Sequence, residues 1–166
     1  GLCCPRSLIL LIFLLSLTGT SNVYAARYWC HDHSLFLASQ GKEKQIGTGP
    51  ATLRDKLKNR YCYHLETPFP NLLSLIDSGY PLKTGQVIFF GEAHSAYVES
   101  PSFLQHYYGD TYATARVLHW PLDDFYQYKR TKNIRDGSPL GKVIYPMRNK
   151  PIQVWTNIDL VKRDAD

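Results

Sequence analysis

The feature that most constrains the fold is the segment Leu82–Gly109, in which short runs of β-forming residues alternate with turns. Its three β-rich runs are Gln86–Phe90, His94–Glu99 and Phe103–Tyr108. Short runs that follow one another through Gly- and Pro-containing turns are typical of antiparallel hairpins. The segment therefore predicts an antiparallel meander.

The second hairpin of this meander carries two histidines. If it closes through Glu99–Pro101, His94 lies directly opposite His106. Facing residues of an antiparallel pair have Cβ atoms about 4.5 to 5.5 Å apart, so the two imidazoles would share a site. A loop one residue longer would turn His106 to the other face of the sheet, because side chains alternate along a strand.

The N-terminal residues follow the pattern of a targeting signal. The apolar run Leu8–Leu17 is too short for a membrane-spanning helix, which needs about 20 residues, but it fits the core of a secretory signal. Val23 and Ala25 supply the small residues that precede cleavage. We predict a signal peptide over residues 1–25 and a single domain over 26–166. An uncleaved anchor or a buried helix is the alternative.

Export makes the mature protein secreted or periplasmic, with no membrane span after the signal is removed. The 166 residues, 44% of them hydrophobic, can build one packed domain. A net charge of +5 suits an anionic partner, but the sequence has no dense block of Lys and Arg. We therefore predict no nucleic-acid partner.

Two cysteines, Cys30 and Cys62, remain after the signal peptide. In an oxidising compartment they are candidates for a disulfide. The alternative is that Cys30 is a reactive thiol. It opens the segment CHDHSLFLASQG, which predicts a helix that ends near Gly41 in a left-handed C-cap. A thiol at a helix N-terminus is close to unpaired N–H groups and the positive end of the helix dipole, which favour the thiolate.

A thiol and two imidazoles are the groups that a cysteine hydrolase needs. One imidazole accepts the thiol proton and later protonates the leaving amine, while the other group orients it. A metal cluster at Cys30–His33 is the competing interpretation, but a zinc site draws its ligands from separated positions. We therefore expect neither a metal nor a cofactor.

The order of these residues resembles a known family. From Leu82 the chain reads LKTGQVIFFGEAH, and a second His follows about a dozen residues later. With a Cys that opens a helix, this order resembles the NlpC-type cysteine peptidases of bacterial cell-wall turnover. HSAYVE is also similar to the related CHAP domains. The resemblance covers Trp29 to about Gly109.

This resemblance implies a papain-like α+β fold whose nucleophile helix packs on an antiparallel sheet. It implies that Cys30 is the nucleophile, His94 the general base and His106 the orienting residue, where the family accepts His, Asn or Gln. The implied partner is a peptide or amide substrate, with the stem peptides of peptidoglycan as the expected class.

Some positions depart from the family pattern. Trp29 stands where the family has Asp, His31 and Asp32 stand where it has Ser-Gly, and Gln86 stands where Asp is common. The alternative function is a secreted binding or structural domain on the same scaffold, with the two remaining cysteines joined in a disulfide.

The rest of the chain predicts ordinary elements of one domain. These are a helix over Ala51–Cys62, a loop over His64–Pro70, a short helix or turn over Asn71–Pro81, strands over Ala113–Trp120, Lys142–Pro146 and Pro151–Thr156, and a helix over Pro121–Arg130.

Overall fold

The computed structural model describes residues 28–109, 114–121 and 147–159. Its helices are α1 (Cys30–Ala38), α2 (Pro50–Arg60) and α3 (Leu72–Asp77). Its strands are β1 (Tyr63–Phe69), β2 (Val87–Phe90), β3 (His94–Ser100), β4 (Phe103–Tyr108), β5 (Arg116–Pro121) and β6 (Ile152–Asn157). The predicted signal peptide and the predicted strand over 142–146 lie outside the described residues. So does the predicted helix over 121–130, except for Pro121, which ends β5.

The six strands form one antiparallel sheet in the order β1-β6-β2-β3-β4-β5. The predicted α+β class is confirmed, and so is the meander made by β2, β3 and β4. The last described strand lies inside the sheet, between β1 and β2, so residues far apart in the chain become neighbours in the sheet.

The loop predicted over His64–Pro70 is wrong, because most of these residues belong to β1. Two prolines suggested a loop, yet β1 lies at an edge of the described sheet. Its pairing with β6 shifts between Leu65 and Thr67. Edge strands and bulges are the places where a sheet tolerates proline, since a missing N–H there interrupts no inner ladder.

Helices cover both faces of the sheet. On the first face α1 and α2 bury a cluster made of Leu35, Ala38, Leu53, Leu57, Tyr63, Val87, Phe89 and Trp155. On the second face α3 and Met147 bury the larger cluster of Leu72, Leu75, Ile76, Ile88, Phe90, Ala96, Val98, Leu104, Trp120, Met147, Ile152 and Val154. Neighbouring strand residues thus belong to different clusters, as side chains that alternate along a strand must.

Helix α1 has well-defined ends. At its start the Asp32 carboxylate accepts hydrogen bonds from the backbone N–H groups of Trp29 (2.9 Å), Gly47 (3.3 Å) and Thr48 (2.8 Å). The first of these satisfies a donor that the helix leaves unpaired. The other two fix the loop before α2 against the helix start. The buried Asp32 therefore positions the end of α1 that carries Cys30.

At the other end of α1 the chain turns in a Schellman motif. The Gly41 N–H donates to the Phe36 carbonyl oxygen (2.8 Å) and the Gln40 N–H donates to that of Leu37 (3.0 Å). The prediction of a left-handed Gly41 is confirmed by its φ of 79°, but Gln40 is also left-handed, with a φ of 56°. Gln40, not Gly41, occupies the position just after the cap.

We expect Gln40→Gly to raise the free energy of unfolding by about 1 kcal/mol, because a left-handed conformation is strained for every residue with a Cβ atom. Gln40 is exposed, so little packing is lost. Urea unfolding of the purified protein measures the change. The control is Lys42→Gly, since Lys42 is exposed and has no positive φ. An equal gain in both variants would contradict the explanation.

Candidate active site

Cys30 is the first residue of α1 and has no exposed surface. Its thiol donates a long hydrogen bond to the Ala93 carbonyl oxygen, with a sulfur–oxygen distance of 3.9 Å. Burial raises the pKa of the Cys30 thiol to about 11, and this outweighs the backbone hydrogen bonds from Ser95, His31 and Cys30 itself. The resting side chain is therefore a protonated thiol at neutral pH, and a base must remove its proton before it can attack.

The sulfur lies where the pairing of β3 with β4 ends. The Val98 N–H donates to the Gln86 carbonyl oxygen on the β2 side (2.8 Å), so the N–H groups of Tyr97 and Ser95 point to the β4 side. The ladder between β3 and β4 reaches Tyr97, which faces Gln105, and goes no further. The next N–H on the β4 side, that of Ser95, is directed at the Cys30 sulfur and not at β4.

His94 and His106 are brought together, as predicted. The distance from His94 Nε2 to His106 Nδ1 is 2.9 Å, and the two rings are edge-on with centroids 5.0 Å apart. Both side chains are buried, with 2% and 1% of their surface exposed. Burial lowers the pKa of His94 well below its ordinary value and lowers that of His106 to about 3. Both rings are therefore neutral at pH 7.

The predicted register of this hairpin is wrong by two residues. Tyr97 faces Gln105, and the turn at residues 101–102 is accompanied by a bulge between Val98 and Ser100. Continued along the strands, this register aligns Ala96 with His106, so the histidines are diagonal neighbours. The prediction of a shared face survives because a shift of two residues leaves every side chain on its own face.

The hydrogen bond between the histidines has a tautomeric consequence, because one of its two nitrogens must carry a proton. If His94 Nε2 donates, His94 Nδ1 keeps a lone pair and can act as a base. His106 then carries its proton on Nε2, an atom with no hydrogen-bond partner among the described residues. The His106 and Trp120 ring centroids are 4.5 Å apart, close enough for an N–H to contact the aromatic ring.

The thiol and the imidazoles belong to different faces of the sheet. Ser95 contacts α1 on the first face, so His94 and Ala96 project from the second. The ring contact between His94 and Phe90, which belongs to the second-face cluster, agrees with this. In the described part of the chain no hydrogen bond joins the Cys30 sulfur to either imidazole. The sulfur instead contacts the main chain on both sides of His94.

Sequence reasoning missed a chain of polar side chains beside Cys30. His31 Nδ1 is 2.9 Å from Ser95 Oγ, and Ser95 Oγ is 2.8 Å from Ser34 Oγ. His31 Nε2 is 3.3 Å from the Glu92 carbonyl oxygen. The alternation of β3 could have placed Ser95 on the face opposite His94, but nothing in the sequence pairs it with α1.

Gln86, one of the departures from the family pattern, is fully buried and has a structural role. Its amide donates to the Tyr80 hydroxyl (3.0 Å) and the Thr156 hydroxyl (2.9 Å), and its amide oxygen accepts from the Lys83 N–H (2.7 Å). It therefore joins the turn before β2 to β6, away from Cys30.

The structure contains no disulfide between Cys30 and Cys62. Within residues 28–109, 114–121 and 147–159, no group of three or more His, Cys, Asp or Glu side chains could hold a metal ion. The same residues include no helix of the length and hydrophobicity that a membrane crossing requires.

Comparison with family models, with curated proteins and with solved structures finds no match to this chain. The site must therefore be interpreted from its own geometry and from the resemblance of its short motifs.

Proposed function

We propose that the protein is an exported cysteine hydrolase of papain-like fold that cleaves peptide or amide bonds. The observation that carries this proposal is the buried hydrogen bond of 2.9 Å between His94 Nε2 and His106 Nδ1. With His94 Nε2 as the donor of this bond, His94 Nδ1 is the nitrogen able to accept a proton. The proposed nucleophile is Cys30, whose sulfur contacts the main chain at Ala93 and Ser95.

In the proposed reaction the site first rearranges so that His94, which projects from the other face of the sheet in the resting structure, reaches the sulfur. His94 Nδ1 then takes the thiol proton while the Cys30 sulfur attacks the substrate carbonyl carbon. The negative charge that forms on the carbonyl oxygen is stabilised by the backbone N–H of Cys30, which is directed at the Cys30 sulfur in the resting site. His94 then gives the proton to the leaving amine, and the carbonyl re-forms as a thioester. Water, deprotonated by His94, releases the acid and restores the thiol.

His106 holds the ring of His94 in the tautomer that this sequence of steps needs. A neutral base is an advantage here, because an imidazole that is already protonated cannot accept the thiol proton. Burial keeps both rings neutral at pH 7 but also weakens His94 as a base, so the opening that exposes the thiol must raise the pKa of His94 as well.

The reaction also requires the site to open. Cys30, His94 and His106 are 0%, 2% and 1% exposed, and substrate must reach the sulfur from solvent. Opening admits water and removes the burial that raises the pKa of the thiol, so substrate access and activation of the nucleophile are coupled. Movement of the main chain around Ala93 would help to uncover the sulfur, since the Ala93 carbonyl oxygen contacts it.

The proposed substrate class is the stem peptide of peptidoglycan. It follows from the resemblance of Leu82–His106 to the NlpC-type peptidases, and the net charge of +5 suits an anionic wall polymer.

A secreted binding domain without hydrolase activity is the second candidate. It is favoured by the burial of Cys30 and by its raised pKa, since a buried, protonated thiol reacts slowly. The version of this candidate with a disulfide between Cys30 and Cys62 is not supported, because the two cysteines are not joined.

A pair of variants at His106 tests the proposed function. We expect His106→Ala to lower kcat on stem peptides by about 100-fold or more, since His94 loses the group that fixes its tautomer. His106→Asn can place an amide oxygen near the position of Nδ1 and should stay within about tenfold of wild type. Release of soluble fragments from purified peptidoglycan measures both rates. Equal losses in the two variants would contradict the orienting role.

A further inference from the structure

His31 follows the proposed nucleophile, and its imidazole is buried between α1 and the start of β3, with 6% of its surface exposed. Its two nitrogens contact different residues. Nε2 is 3.3 Å from the Glu92 carbonyl oxygen and Nδ1 is 2.9 Å from Ser95 Oγ. One side chain on α1 therefore bonds to two points of the segment that leads into β3.

The chemistry of these partners fixes the tautomer of His31. A carbonyl oxygen can only accept, so His31 Nε2 must carry the proton and donate it to Glu92. His31 Nδ1 is then an acceptor, and the Ser95 hydroxyl donates to it. The Ser34 hydroxyl donates in turn to Ser95 Oγ at 2.8 Å. The Ser95 hydroxyl is also 3.4 Å from the Cys30 carbonyl oxygen, but its one proton goes to the closer His31 Nδ1.

The two residues that His31 holds, Glu92 and Ser95, flank Ala93 and His94. The Ala93 carbonyl oxygen accepts the Cys30 thiol hydrogen bond, and His94 carries the proposed base. Fixing residues 92 and 95 therefore fixes the dipeptide between them relative to the start of α1.

We propose that His31 is a positioning residue, which sets the placement of Ala93 and His94 relative to the Cys30 sulfur by holding Glu92 and Ser95. This inference rests on the proposed function, since it assigns His31 a part in the same site. His31 touches neither substrate nor reacting atoms in the proposed reaction, and acts through the segment that it holds.

A second link to this segment is weaker. Arg54 on α2 forms a two-fold ion pair with the Glu92 carboxylate, one contact of which is 3.1 Å. The Glu92 side chain is 69% exposed, and ion pairs exposed to this degree contribute little because water and salt screen them. The buried imidazole is therefore the main restraint on the segment.

The charged groups that face His31 are Asp32, Arg54 and Glu92, and burial lowers the pKa of His31 despite the two carboxylates.

The first test measures wild-type protein. Nitrogen NMR selective for histidine should show His31 as the Nε2–H tautomer at pH 7. The Nδ1–H tautomer would overturn the proposal, because His31 could then not donate to the Glu92 carbonyl. This measurement does not depend on the folding of any variant.

The second test compares His31→Phe with His33→Phe. His33 is a matched control, because it is equally buried on the same helix and its imidazole bonds to the Tyr28 hydroxyl rather than to the segment before β3. We expect His31→Phe to lower kcat by about 100-fold with KM within about threefold of wild type, as for a misplacement of about 1 Å in a reacting pair. His33→Phe should leave kcat unchanged.

The readout that separates positioning from stability is the pH dependence of Cys30 alkylation by iodoacetamide. Loss of the restraint admits water to the sulfur, so the midpoint in His31→Phe should fall from about 11 toward the ordinary thiol value of 9.0. His31→Asn, which can keep a contact to Ser95, should give an intermediate midpoint. Equal midpoints in wild type and in folded His31→Phe would overturn the proposal.

These outcomes are distinguishable from failure of the proposed function. A wild-type protein that cleaves no stem peptide would end the hydrolase proposal, and the alkylation midpoints would still show whether His31 controls the surroundings of the sulfur.

Discussion

The Cys30→Ala variant is expected to release stem-peptide fragments from purified peptidoglycan at least about 1000-fold more slowly than wild type, because the proposed reaction forms its covalent intermediate on the Cys30 sulfur. The matched control is Cys62→Ser. Cys62 follows α2 and has a φ of 56°, and it is not joined to Cys30. Its replacement should leave the rate within about twofold, since it lies outside the proposed reaction.

The Cys30→Ala variant should still fold, since removing one buried sulfur costs about 1 to 2 kcal/mol of stability. Circular dichroism and urea unfolding check this, so that a loss of rate is not mistaken for unfolding. Equal release by wild type and Cys30→Ala would end the assignment of this nucleophile. Release by neither would favour the binding domain.

The redox state of the two cysteines in the purified protein is a direct companion measurement. Mass spectrometry with and without reductant detects a bridge between Cys30 and Cys62, which would block the nucleophile. The separate thiols of the structure predict equal masses in the two samples.

The second large effect is a loss of stability in mild acid. The pKa of His106 is lowered to about 3 in the folded protein from an ordinary value of 6.5. Below pH 6.5 the unfolded chain therefore binds a proton that the folded chain does not bind. The free energy of unfolding is highest above pH 6.5 and falls as the pH decreases toward 3. The free energy of unfolding changes by about 1.4 kcal/mol per pH unit for each such histidine.

Between pH 6.5 and pH 5 this effect amounts to about 2 kcal/mol for His106 alone. His94 acts in the same direction, because burial also lowers its pKa. Urea unfolding at pH 7, 6 and 5 measures the change. This range lies above the pH at which Glu43 and Glu66 titrate, since their pKa values are lowered from 4.5.

A variant separates the buried histidine pair from other causes of acid sensitivity. His106→Asn removes one titrating ring, so its free energy of unfolding should decrease less steeply with falling pH, by about one bound proton. An equal slope in wild type and His106→Asn would contradict the neutral, buried pair. A free energy that is constant from pH 7 to pH 5 would do so as well.

Local patterns made much of this fold predictable. The helix from Cys30 and the three strands of the meander are each set by residues within a few positions of one another, such as the glycine after α1 and the alternating residues from His94. The shared face of His94 and His106 was also predictable from the sequence, because it depends only on the alternation of side chains along a strand.

Features that depend on distant partners were not predictable. Strand β1 owes its place to β6, and the position of the turn together with the bulge near Ser100 displaced the hairpin register by two residues. The contacts of His31 join residues more than 60 positions apart, and no periodicity encodes them. The separation of Cys30 and His94 onto different faces likewise follows from how α1 docks on the sheet.

The inner position of β6 determines when the fold can be completed. Among the described strands β1 hydrogen-bonds only to β6, which also closes the ladder beside β2. Without residues 152–157, strands β1 and β2 have no strand between them with which to pair. Assembly of the described sheet must therefore wait until residues 152–157 are available, although β2, β3 and β4 can pair before them.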